Sequence, residues 1–185
     1  MVASMVELDQ LRRFTRHEYE LMVERGILEE DEKVELLRGQ IVPMSPIGTP
    51  HTSLMIWLNA RLIRTLDDSY EVRPGCPFAA DEWSMPEPDL AVRKKDNRRD
   101  HPDKLLLAIE ISDSSLRKDR GIKQAIYAGA GVPEYWIFDV QHDLVEVYTR
   151  PRGETYEQLQ TLRAGDVLRA TLIPDLVIPL DELPR

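Results

Sequence analysis

The sequence predicts a mixed α/β domain of the α+β kind, whose core runs helix, three strands, long helix, strand, with a helix and hairpin before it and further strands after it. Three observations lead there. The 185 residues suit one domain that buries about 70% of the surface its unfolded form exposes, with no second core expected. Apolar residues recur at helical spacing in two long stretches, and short apolar runs bounded by Pro and Gly fill most of the remainder. No repeat, low-complexity tract or linker divides the chain, so residues 1–185 read as a single unit.

The elements follow in order. Thr15 with Glu18 is a capping-box pattern, and Tyr19, Leu21, Met22 and Ile27 then give a short amphipathic helix ending near Gly26. Residues 34–37 and 41–44 flank Arg38, Gly39 and Gln40, a β-hairpin pattern with Gly39 in the turn. After a turn rich in Pro and Gly, Leu54, Met55, Leu58, Leu62, Ile63 and Leu66 place a long helix over 51–66, whose apolar stripe needs a sheet to cover. Residues 70–73 and 78–80, broken by Pro74, Gly75 and Pro77, read as a strand with a bulge or bend, and 89–93 and 105–112 as two more. A second long helix over 115–130 stops at Gly131 and Pro133. Strand 134–140 pairs with 144–149 through Gln141, His142 and Asp143, and the remaining residues supply strands and loops that close one edge.

Composition narrows the function. No apolar run approaches the roughly 20 residues that span a bilayer, so no membrane span is expected. Met1 to Leu11 lacks a basic stretch followed by an apolar one, which points to a cytoplasmic location. Cys76 is the only cysteine, so neither an internal disulfide nor a cysteine-based zinc cluster is expected, and it reads as a small buried apolar residue rather than a nucleophile. The net charge of -9 argues against a protein that coats nucleic acid. Between Arg93 and Lys123, however, ten basic residues face six acidic ones, a local +4 that leaves -13 for the rest. This clustering is an ordinary solvated face unless it surrounds a site.

A site is suggested by Glu110, a carboxylate inside an otherwise apolar strand. Alternation puts Leu105, Leu107, Ile109 and Ile111 on one face and Leu106, Ala108, Glu110 and Ser112 on the other. The preceding strand likewise sets Asp89, Ala91 and Arg93 against Leu90 and Val92. Antiparallel pairing about the polar loop 94–103 places Arg93 opposite Leu106 and Asp89 opposite Glu110. Directly opposed Cβ atoms lie about 4.5–5.5 Å apart, close enough that two carboxylates repel unless a cation or a shared proton intervenes. A hard divalent ion held by carboxylates, water and substrate phosphate would resolve the conflict. On the following helix Asp119, Lys123 and Tyr127 share a face that can overlook the carboxylates, while Ile122, Ala125 and Ile126 are placed to pack on the sheet. The alternative for Lys123 is a surface pair with Asp119, worth about 0.3–0.5 kcal/mol.

Pro88-Asp89, then Glu110-Ile111-Ser112, then Asp119, Lys123, Tyr127 and the run from Gly131 to Ile137 resemble the restriction-endonuclease-like family, abundant in cyanobacteria, of the PD-(D/E)XK nuclease superfamily. Further matches are Glu35-Leu36-Leu37-Arg38-Gly39, Met44-Ser45-Pro46, and His51 at the start of the first long helix, so the likeness covers residues 15–140. The superfamily core has the helix, strand, strand, strand, helix, strand order read above. The resemblance implies a divalent-metal-dependent endonuclease acting on DNA, with Asp89 and Glu110 holding Mg²⁺ or Mn²⁺. Ser112 stands where the superfamily has its lysine, and the resemblance implies that Lys123 takes over that role. Ser112, Asp119 and Tyr127 become supporting residues. Glu35 is either an outer ligand or a surface charge beside Arg38, and His51 either a substrate contact or a capping or packing histidine. Tyr135 and Trp136 read as core or interface residues. Basic residues of 94–99 and Arg117, Lys118 and Arg120 are placed to guide a phosphate backbone.

Two other readings compete with this one. A nuclease-like scaffold that binds nucleic acid or protein without cleaving would hold its carboxylates in salt bridges or with a shared proton, and a metal hydrolase acting on small phosphates suits the acidic total charge. Cutting two strands needs two sites, and the C-terminal strands can leave an edge to cover, so a homodimer or higher homo-oligomer is expected.

Overall fold

The computed structural model describes residues 11–29, 31–96, 98 and 100–184; residues 1–10, read above for a leader, and Arg99 of the basic loop lie outside the described residues. The chain forms α1 (Arg16–Glu24), β1 (Val34–Leu37), β2 (Gln40–Pro43), α2 (Thr49–Thr65), β3 (Tyr70–Pro74), β4 (Leu90–Lys94) and β5 (Leu107–Ser112). A helical stretch of α3 (Leu116–Lys118), a π turn (Asp119–Lys123) and α4 (Gln124–Gly129) comes next. It is followed by β6 (Glu134–Asp139), β7 (Leu144–Arg152), β8 (Thr155–Leu162), β9 (Val167–Arg169) and β10 (Val177–Pro179).

Six strands make the central sheet in the order β3-β4-β5-β6-β7-β8. Every neighbour pair is antiparallel except β5 and β6, which run parallel and so need a long crossover; the stretch from α3 to α4 supplies it. Leu54, Leu58 and Leu62 of α2 cover one face, packed on Leu90, Val92, Leu107, Ile109 and Ile111 together with residues of β9 and β10. Tyr127 of α4 covers the other face with Phe78, Ala91, Ala108, Tyr135 and Ile137. A smaller cluster of Tyr19, Leu36 and Met85 fastens α1 and the β1–β2 hairpin to the body, with an isolated bridge between Leu36 and Met85.

Local chemistry sets the boundaries. Thr15 caps α1 in a complete capping box with Glu18, and Pro50 sits in the first turn of α2. Arg38 and Gly39 have φ of 51° and 82°, so the hairpin closes on a two-residue turn and Leu37 faces Gln40; the strand after it covers 40–43 rather than 41–44. A side chain at Gly39 would also meet Arg13 Cβ at 2.7 Å, so turn and packing both demand glycine.

Three expectations are corrected. Residues 78–80 are not a strand: Phe78 and Ala79 donate to the carbonyls of Pro86 and Pro102, both at 2.9 Å, because Pro74 and Pro77 end the ladder. Strand β5 begins at Leu107, not Leu105. The Leu106 N–H donates to Val92 O at 2.8 Å although Val92 opposes Leu107, so two residues face one as in a bulge; Leu106 thereby joins Leu107 on the α2 side and Leu105 moves to the other face. The second long helix carries a π turn, and its buried face presents Asp119, Lys123 and Tyr127 instead of Ile122 and Ala125.

Leu58 is fully buried and Ile63 is 59% exposed. Leu58→Ala is expected to cost about 2–5 kcal/mol in urea unfolding, and Ile63→Ala to stay within about 0.5 kcal/mol of wild type.

Candidate active site

Asp89 lies one residue before β4, after the buried prolines Pro86 and Pro88. The register Leu90 to Ile109, extended by one pair, sets it opposite Glu110 as the loop symmetry predicts. Each carboxylate has its own partners. Asp89 Oδ2 accepts the Ile111 N–H at 2.7 Å and Oδ1 lies 3.0 Å from His51 Nε2. Glu110 Oε1 accepts the Tyr127 hydroxyl at 2.7 Å and sits 2.6 Å from Lys123 Nζ. The repulsion expected between the two acids is thus relieved from within the chain, by an ammonium on one side and an imidazole on the other.

Lys123 is buried, and its ammonium also reaches Glu35 Oε2 at 3.3 Å and the carbonyl of Glu87 at 3.1 Å. Glu35, on β1, is only 1% exposed, so it is no surface charge beside Arg38, which pairs instead with Glu154. Its Oε1 takes Lys118 Nζ at 2.8 Å and its Oε2 the Glu87 N–H at 3.2 Å. Asp119 accepts the hydroxyls of Ser112, at 2.6 Å, and Ser115, and among the described residues forms no ion pair with Lys123. A π turn spans the two residues. The Gln124 N–H reaches back to the carbonyl of Asp119, which also accepts the Tyr135 hydroxyl at 3.2 Å, and the side chains of Asp119 and Lys123 are both buried.

Electrostatics follow from burial. It pushes the Glu110 carboxyl well above its ordinary value, opposed by Lys123 and reinforced by Asp119, Asp89 and Glu35. Burial alone would lower the pKa of Lys123, but Glu110, Glu35 and Asp119 outweigh it and raise it, and with an oxygen 2.6 Å away the ammonium is the state this geometry holds. For His51 too, the hydrogen bond and charge of Asp89, helped by Asp113 and Asp119, overcome burial and favour the imidazolium; its Nδ1 is buried without a hydrogen-bond partner among the described residues. Burial and Glu110 raise the Tyr127 phenol, which keeps its proton to donate.

All eight candidate residues are therefore neighbours: Glu35, His51, Asp89, Glu110, Asp119 and Lys123 line one cavity of about 80 Å³, and Ser112 and Tyr127 support it from below through Asp119 and Glu110. The sequence reading missed Glu87, which lines the same cavity and whose carboxyl is pushed up to about 7 by burial and by Glu35. The available signal was a charged residue held between two prolines. Three of the basic residues placed to guide a phosphate backbone are already paired within the chain: Lys118 with Glu35, Arg98 with Asp96 and Asp103, and Arg120 with Glu146 and Asp139. Among the described residues no three His, Cys, Asp or Glu side chains form a ready-made metal cluster.

A mixed sheet with one parallel pair, a crossover helix on one face and α2 on the other is a restriction-endonuclease-like core. The chain belongs to the Uma2 family, whose description is "Putative restriction endonuclease" and which matches residues 16–181. Among solved structures it is similar to "a putative nuclease belonging to DUF820" from Anabaena variabilis ATCC 29413, with a TM-score of 0.70 and 14% identity over 87% of this chain and 95% of that one. No curated protein matches it. No helix among the described residues is long and apolar enough to cross a membrane.

Replacing Lys123 with Met leaves Glu110 buried without its cation, and a loss of about 3–5 kcal/mol is expected, largely restored by adding Glu110→Gln. For Glu87, a folded-state pKa above the unfolded one means that the folded form keeps its proton longer, so stability falls as pH rises from the ordinary carboxylate value through about 7. In metal-free buffer Glu87→Gln should therefore melt at a higher temperature than wild type near about pH 8 and with it near about pH 4.

Proposed function

We propose that the chain is a divalent-metal-dependent nuclease that hydrolyses DNA phosphodiester bonds in this cavity. The observation that carries the reading is the convergence of Asp89, Glu110 and Glu35 with Lys118 and Lys123, from separate elements, around one small polar cavity. Asp89 and Glu110 would hold Mg²⁺ or Mn²⁺. Hard carboxylate oxygens suit these ions, and two suffice, because Mg²⁺ keeps several waters and takes substrate phosphate as further ligands. When bound, such an ion polarises a phosphoryl oxygen and makes a water more acidic.

The chain's own residues supply positioning and charge. Lys123 is held protonated and so serves as a cation for charge that develops on the phosphate, not as a base. Tyr127 fixes one oxygen of Glu110, and His51 with the Ile111 N–H fixes both oxygens of Asp89. Ser112 and Ser115 hold Asp119 beside them.

One observation favours a non-cleaving nucleic-acid or protein binding scaffold instead: Glu110 already has a cation in Lys123, and Asp89 a donor in His51. Mn²⁺ titration by calorimetry, with cleavage of single-stranded and plasmid DNA on the same samples, separates the two. The nuclease reading expects wild type to bind and cleave, Asp89→Asn with Glu110→Gln to do neither, and Lys123→Gln to bind metal while cleaving about 10²–10³-fold more slowly. Failure of wild type to bind Mn²⁺ in the presence of DNA would leave the scaffold.

A further inference from the structure

The cavity does not stop at its carboxylates. A groove of about 590 Å³ runs between the β1–β2 hairpin and the helical stretch of the π turn, and it shares Ser45, Ser114, Ser115 and Lys118 with the first cavity. Its size falls within the roughly 300–1,000 Å³ of small-molecule sites, which admits one nucleotide and excludes a duplex. Val42 and Pro43 of the hairpin and Ile122 of the π turn form an apolar wall. Serine hydroxyls and Arg117 form the polar side.

Arg117 differs from the other basic residues of its helical stretch. It is exposed, and among the described residues no carboxylate pairs with it, whereas Lys118, Arg120 and Lys123 are all paired with acids. Gly121 on the same wall is also unusual. A Cβ there would meet nothing within 4 Å and its backbone does not need glycine, so neither packing nor turn geometry explains a poor helix former at this place. The missing side chain leaves the groove open.

We propose that this groove binds one nucleotide of a single-stranded nucleic-acid segment next to the phosphodiester held at Asp89 and Glu110, with sugar and base against Val42, Pro43 and Ile122 and a flanking phosphate at Arg117. The assignment rests on the nuclease reading of the cavity. It follows from the shape, since an apolar wall can receive the face of a base only when that base is unstacked, and from the charge, since a chain of net charge -9 in which Arg98, Lys118 and Arg120 are paired with carboxylates offers a duplex no broad cationic surface.

Fluorescence anisotropy of a fluorescein-labelled single-stranded DNA of about 12 nucleotides, in EDTA, reads the groove without catalysis. Arg117→Glu is expected to weaken binding about tenfold or more and to reduce the salt slope by about 1, while Arg169→Glu on β9, the same change of charge elsewhere, leaves both unchanged. Gly121→Leu should weaken binding comparably with no loss of melting temperature, which separates a blocked groove from a damaged fold. Unchanged affinity in Arg117→Glu and Gly121→Leu, no binding by wild type, or equal competition by a duplex of the same length would each overturn the assignment. Mn²⁺-dependent cleavage is scored separately: groove binding without cleavage by wild type keeps the groove and removes the nuclease reading, and cleavage with unaltered binding in the variants does the reverse.

Discussion

The structure turns on one buried ammonium. A lysine nitrogen out of water is tolerable only when its charge is met, and Lys123 meets two carboxylates and a carbonyl, from Glu110, Glu35 and Glu87. Those three belong to the central sheet, to the hairpin and to the segment between two prolines, so a single side chain ties together parts of the chain that share no hydrogen-bonded sheet. Asp119 and Lys123, four residues apart, lie on one helix face, and the π turn that spans them keeps both side chains buried.

Charge counted along a sequence and charge felt at a surface differ here for the same reason. The stretch from Arg93 to Lys123 is locally basic, yet Arg93, Arg98, Lys118, Arg120 and Lys123 are paired with acids, some of them distant in sequence such as Glu35, Glu71 and Glu146. The exposed charge is therefore smaller than the sequence count, which weakens electrostatic steering of a long polyanion.

The parts of the fold that rest on periodicity were legible. The leucines at 54, 58 and 62 specified α2 and its buried stripe, alternation specified β4 and β5, a short apolar run specified β6, and the loop between β4 and β5 fixed a register that brings Asp89 level with Glu110. Three local departures were not legible, because each shifts phase by a residue without a compositional mark: the bulge at Leu106, the π turn, and the irregular path through Phe78 and Ala79. The eight candidate residues were found as a set, but their pairings were not. The depth of Glu35 depends on Lys118, 83 positions away, and nothing local distinguishes an acid paired across such a separation from one in solvent.

The hairpin that carries Glu35 stands apart from the six-stranded sheet and is held to the body by side-chain packing, by the ion pairs of Glu35 and Arg38, and by backbone contacts of Leu36 and Gly39 with the segment at Trp83 and Met85. Detaching it would strip Lys118 and Lys123 of a shared counterion at the same moment as it opened the apolar cluster beneath. Docking of the hairpin and neutralisation of the cavity are therefore one cooperative event. Because the partners are so far apart along the chain, their contact closes a long loop, and the cavity is a product of the assembled tertiary structure rather than a local motif.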